Sequence, residues 1–120
     1  VNYLIREEIK KRVEKLQTIA INFENEGYFQ DAADSYVEAA NFLIDEKDFF
    51  WGAEDFKKAA ELYWDSGDKG RAETLFNTAI NYYLMDADYY LKRDGYFWAV
   101  RDYKLAVQCY EKWLSMIGRI

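Results

Sequence analysis

Apolar residues recur along this chain at steps of three and four, the spacing that gathers side chains on one face of a helix. Over 2–25 the stripe runs Ile5, Ile9, Val13, Leu16, Ala20 and Phe23, and the turn Asn25-Glu26-Gly27 ends it. The same spacing predicts helices over 28–45 (Ala32, Tyr36, Ala39, Leu43), 49–65 (Gly52, Phe56, Ala59, Tyr63) and 69–93 (Ala72, Phe76, Ala79, Tyr83, Ala87, Tyr90). A fifth, over 96–117, steps through Ala99, Tyr103, Ala106, Tyr110, Trp113 and Ile117. Asp48 and Asp68 stand where N-caps are needed, because a short carboxylate there accepts from the unpaired amides of a first turn. Asp86 and Asp88 could cap a new start inside the fourth segment, but the stripe keeps its register across them, so one long helix is expected. Nothing reads as a strand. The expected fold is all-α, with five antiparallel helices in one domain spanning 1–120.

An internal repeat underlies the stripes. A small residue, an aromatic four later and Ala three after that recur as Ala32-Tyr36-Ala39, Gly52-Phe56-Ala59, Ala72-Phe76-Ala79 and Ala99-Tyr103-Ala106. Small residues let neighbouring helices approach, and the ring fills the wedge between them. The first three occurrences lie 20 residues apart and the fourth lies 27 further on, an offset that the long fourth helix accounts for.

These residues resemble a known family. Leu16, Ala20, Phe23, Gly27-Tyr28-Phe29, Ala32, Tyr36 and Ala39 look like one tetratricopeptide (TPR) repeat; Phe56, Ala60, Tyr63, Gly67-Asp68, Ala72, Phe76 and Ala79 look like a second. The pairs recur near 40 residues where a TPR has 34, and Ile44 and Leu84 stand where a closing Pro is common. Long, Pro-free, aromatic-rich pairs of this kind are similar to the SNAP-type adaptors of membrane fusion. Residues 16–44, with Gly27-Tyr28-Phe29, Ala32, Tyr36 and Ala39, also resemble MIT domains, three-helix modules that bind helical peptides; five helices fit that pattern less well. The TPR resemblance implies a right-handed α-α superhelix whose concave groove is lined by the first helix of each pair. Carried over by position, the lining is Glu14, Gln17, Ile21, Glu24 and Asn25 from the first pair and Glu54, Lys57, Glu61, Trp64 and Asp65 from the second. It implies a non-catalytic adaptor or scaffold that holds a protein segment.

Composition narrows the chemistry. With no His, the chain has no imidazole base, no Ser-His-Asp or Cys-His nucleophile and no imidazole metal ligand. The densest acid clusters, Asp45-Glu46-x-Asp48 and Asp86-x-Asp88, lack calcium-loop spacing and read as loop acids and helix caps. Ser66-Gly67-Asp68-Lys69-Gly70 is the nearest approach to a phosphate loop, but it has no preceding strand and reads as an inter-helix turn. No metal, cofactor or catalytic residue is expected. A lone Cys109 cannot close an internal disulfide, reads as an inert half-buried thiol and suits a reducing, cytoplasmic setting.

Charge then points toward a class of partner. There are 16 basic and 22 acidic residues, a net of −6, and residues 24–68 hold three bases against thirteen acids, a net of −10. Nucleic acid and anionic membranes would meet a surface of like sign, so neither is an expected partner. An acidic groove carrying Ile21 and Trp64 matches a basic or amphipathic helical segment of a protein; the alternative is that the acids only keep the domain soluble. Rings also cluster at helix starts. Phe49, Phe50, Trp51, Tyr96, Phe97 and Trp98, with Tyr89 from the end of the fourth helix, would meet at one end of an antiparallel array. They would close the core there or form a second contact, including a homodimer patch. The fifth helix would cap the array, continue a longer one or pair with a copy of itself.

Overall fold

The computed structural model describes residues 2–118, with side chains from Arg6 onward. It contains α1 (Asn2–Asn25), α2 (Phe29–Asp45), α3 (Phe49–Asp65), α4 (Lys69–Leu91) and α5 (Tyr96–Met116), and no strand among the described residues. Ile5 and Ile120 lie outside the described side chains. The fourth helix is continuous through Asp86 and Asp88, as the unbroken stripe requires.

Four turns of one design separate the helices. Each has a single residue with positive φ: Gly27 (85°), Lys47 (61°), Gly67 (91°) and Asp94 (58°). The amide that follows reaches back five residues, Tyr28 N to Phe23 O at 2.8 Å, Asp48 N to Leu43 O at 2.9 Å, Asp68 N to Tyr63 O at 2.9 Å and Gly95 N to Tyr90 O at 2.8 Å. This is the Schellman closure, which satisfies carbonyls left open at a helix end. The carboxylates of Asp48 and Asp68 then cap the next helix by accepting from Trp51 N (3.4 Å) and Arg71 N (3.1 Å). Lys47 occupies a left-handed conformation that costs a side chain about 1 kcal/mol and glycine almost nothing. Lys47→Gly is therefore expected to raise stability by roughly 0.5–1 kcal/mol and Gly67→Ala to lower it by about as much; paired urea melts check both signs.

Each helix packs on its neighbours in sequence. The molecule measures 39 × 35 × 18 Å, the last being the thickness of two layers of helices. Ala32, Ala39, Ala59, Ala60, Ala72 and Ala79 are wholly buried, and Tyr36, Phe56, Tyr63, Phe76 and Tyr83 fill the wedges. Two of these rings also staple consecutive helices: the Tyr63 hydroxyl donates to Asp34 of α2, and the Tyr83 hydroxyl donates to Glu54 of α3. Both bonds span 29 residues and the second is the first moved on by 20, so the repeat extends to its hydrogen bonds. Burial first, and the facing Asp34 next, push the Tyr63 hydroxyl up to about 12.

The fifth helix departs from expectation. Its inward face carries Ala99, Asp102, Ala106, Cys109 and Trp113, while Tyr103 and Tyr110, expected inside, are 42% and 52% exposed and Ile117 is 37% exposed. Both readings step by three and four and share Ala99, Ala106 and Trp113; they differ in taking Tyr103 or its neighbour Asp102 and Tyr110 or its neighbour Cys109, each about 100° apart, so periodicity alone fits either. Packing on α4 selects the face with the small Ala99, Ala106 and Cys109. Cys109 itself is fully buried, donates its thiol to Phe76 O at 3.9 Å, and is pushed up to about 12 by burial.

Candidate functional site

Between α1 and α3, with the end of α2 as a wall, lies a groove of about 750 Å³. Ile9, Val13, Ile21, Leu43, Tyr36 and Trp51 give it an apolar lining. Trp51 is 56% exposed and Ile21 46%, so both present apolar surface to an occupant. Trp51 is held in place because its backbone amide is the one that Asp48 caps. Across the floor, Gln17 Nε2 donates to Asp55 Oδ2 at 2.9 Å and ties α1 to α3. Asp55 is almost fully buried, and burial pushes its carboxyl up to about 6 against the opposing pull of Gln17 and Lys58. A buried carboxylate at the floor favours a cation or a hydrogen-bond donor above it.

The groove differs in detail from the expected one. Glu14, Gln17, Ile21 and Glu54 line it as expected, and Trp51 joins them from the aromatic set. Glu24, Asn25, Lys57, Glu61, Trp64 and Asp65 do not line it. Lys57 lies 4.0 Å from Glu54 along α3, and Glu61 pairs with Lys112 of α5 at 2.9 Å. Trp64 packs edge-on against Trp113 of α5, with Lys69 over its ring, beside a separate hollow of about 480 Å³. Glu24, Asn25 and Asp65 are exposed at helix ends. A straight α3 cannot turn all five positions toward α1; half of that face turns toward α5. Nor is the lining uniformly acidic: Glu14, Glu46, Asp48, Glu54 and Asp55 share it with Arg6, Lys10 and Lys58. Residues Asp55, Lys58 and Tyr36 were not anticipated here. Asp55 had a signal: three residues after Gly52 and next to Phe56, it falls on the flank of the buried stripe, whereas the neighbouring Glu54 does not.

The aromatic end is organised by a residue that the stripes did not single out. Arg101 of α5 is sandwiched by Phe50 and Trp98, its guanidinium carbon 3.8 Å and 4.7 Å from the two ring centroids. It donates to Asp86 Oδ2 at 3.2 Å and to Asp102 Oδ1 at 3.0 Å. Asp86 is therefore a buried helix residue and not the loop acid or cap expected, whereas Asp88 is exposed and pairs with Lys92 at 3.0 Å. Rings extend from this hub: Trp51 meets Phe50, Trp98 meets Tyr90 and Phe97, and Tyr90 meets Tyr89. Phe49 turns away to stack on Tyr82 of α4. Tyr96, 61% exposed, donates to Asp94 and stands apart from the hub. Phe50 and Phe49 thus close the core, while Phe97 and Tyr89 remain open to solvent.

Among the described residues no three His, Cys, Asp or Glu side chains are placed to hold a metal ion, and no helix is long and apolar enough to cross a membrane. Compared with protein-family models, curated proteins and solved structures, the chain finds no match.

Proposed function

We propose that the five helices form a TPR-like array, antiparallel and wound to the right, which works inside the cell as a non-catalytic adaptor. Its occupant is an amphipathic helical segment of another protein, seated in the groove between α1 and α3. The repeated turns and the Tyr63 and Tyr83 staples support the repeat reading, because both recur at the spacing of the small-aromatic-Ala motif. The observation that carries the function is the groove itself: exposed Trp51 and Ile21 beside buried Asp55. Aromatic and aliphatic anchors next to a desolvated charge are how helix-binding grooves obtain both affinity and register. Five acids against three bases in the lining favour a segment with Lys or Arg on its polar edge.

Peptides selected from a library of amphipathic helices test this. Trp51→Ala with Ile21→Ser is expected to weaken the selected peptides at least tenfold while the melting temperature moves by no more than about 2 °C, since both side chains are half exposed. Undiminished binding by the double variant would place the site elsewhere. Glu54 and Glu61 are unsuitable for this test because Tyr83 and Lys112 depend on them.

A further inference from the structure

The outward face of α5 carries a second apolar stripe. Tyr96, Val100, Tyr103, Val107, Tyr110, Leu114 and Ile117 follow one another at alternating steps of four and three. All but the partly buried Leu114 are between 37% and 61% exposed. On α3 the register-equivalent positions, 47 residues earlier, are Ala53, Phe56, Ala60 and Tyr63, and none is more than 5% exposed because neighbouring helices cover them. The stripe on α5 is thus a helix-packing face without a helix on it. Besides Tyr103 in place of Phe56, Val100 and Val107 stand where α3 has alanines. Branched side chains at every a position, with Tyr or Ile at d, hold a second helix at coiled-coil distance and not in the closer contact of the internal repeat.

We infer that this face binds the same face of a second copy, α5 against α5 in antiparallel orientation about a two-fold axis. Charge selects the occupant and the register. In antiparallel pairs the layers join a positions of one helix to d positions of the other, and e positions meet across the seam. One register sets Val107 against the partner's Tyr110, Tyr103 against the partner's Leu114 and Val100 against the partner's Ile117, so that Tyr103 and Tyr110 each face an aliphatic while Tyr96 lies beyond the seam. It also brings Lys104 beside the partner's Glu111, twice by symmetry. Sliding by one heptad would set Lys104 against the partner's Lys104, a like-charge contact that opposes that register. The acid-rich stretch 24–68 contributes no residue to this seam, and within α5 three bases face two acids, so the net acidity of the chain does not fall on it. The stripe and its flanking stems offer on the order of 700 Å² per copy, near the ~800 Å² per side of a standard interface, which gives a reversible dimer. No α5 residue lines the α1–α3 groove, so this inference stands apart from the proposed function.

Sedimentation of the purified chain over a hundredfold concentration range, rising to about 200 µM, tests it. The expected result is twice the 14.3 kDa chain mass at the upper end. Val107→Lys, at a 55% exposed position beside the axis, is expected to leave a monomer with an unchanged melting temperature. Lys104→Glu should weaken the dimer about tenfold, and adding Glu111→Lys should restore it. A chain that stays monomeric throughout overturns the proposal, as does a dimer that survives Val107→Lys. Failure of the double charge swap to restore what the single swap lost overturns the antiparallel register.

Discussion

Arg101→Ala is expected to lose about 3–5 kcal/mol at pH 8, the cost of leaving buried carboxylates without their cation. Asp102 is wholly buried and Asp86 nearly so, and Arg101 bonds to both. The second Asp102 oxygen, Oδ2, is buried without a partner. One cation therefore serves two acids. Burial first, then the neighbouring Asp102, push the Asp86 carboxyl up to about 7. Burial likewise raises Asp55 to about 6, and raises Asp48, which the Asp86 charge also opposes. An acid whose folded value exceeds the unfolded value of ~3.9 binds its proton more tightly in the fold. The stabilisation is fully present below about pH 4 and is lost as pH rises through 6 and 7. The domain should thus be more stable at pH 5 than at pH 8, by on the order of 2 kcal/mol. Asp86→Asn supplies an amide that can donate to Asp102, so it should raise stability at pH 8 and flatten the profile. Urea melts of the wild type and both variants between pH 4.5 and 8 decide the matter; a wild-type profile that rises with pH would contradict the raised Asp86 and Asp55 carboxyls.

Phe76→Ala is the second large effect, with an expected loss of about 3–5 kcal/mol from transfer and cavity terms. The ring is fully buried, lies 5.8 Å from Trp113 of α5, and belongs to the stripe that α4 presents to its neighbours. Cys109 packs on the same turn through the Phe76 carbonyl. Emptying the site should therefore expose the thiol, so reaction with a disulfide reagent, slow in the wild type, should quicken in step with the stability loss. A variant that loses less than about 1 kcal/mol and keeps Cys109 unreactive would show that α4 and α5 are not held together at Phe76.

The four stripes from α1 to α4 were legible because, among the described side chains, each stripe residue is buried or partly buried. Ala32-Tyr36-Ala39 and its counterparts satisfy the 3.6-residue period with no competing pattern. The caps at Asp48 and Asp68 were legible for a local reason, since a cap depends on its own turn. On α5 two apolar stripes compete. Tyr103 continues the small-aromatic-Ala motif while Asp102 is charged, so the sequence favours the tyrosine stripe, yet packing against α4 selects the set with the smaller Cys109. Asp102 is tolerated there only because Arg101 comes with it, a pair that periodicity cannot weigh. The groove was half legible for a related reason. Glu14, Gln17 and Ile21 follow from α1 alone, but the rotation of α3 decides whether Trp51 or Trp64 faces α1, and the packing of α3 between α2 and α4 fixes that rotation.

The most direct measurement of the central claim is the footprint of a bound helix. Titrating the isotope-labelled chain with a basic amphipathic peptide and following backbone and indole signals reads it residue by residue. The expected shifts centre on Gln17, Ile21, Trp51, Asp55 and Lys58. Shifts confined to α2 and α4, or none at peptide excess, would contradict a peptide-binding groove between α1 and α3.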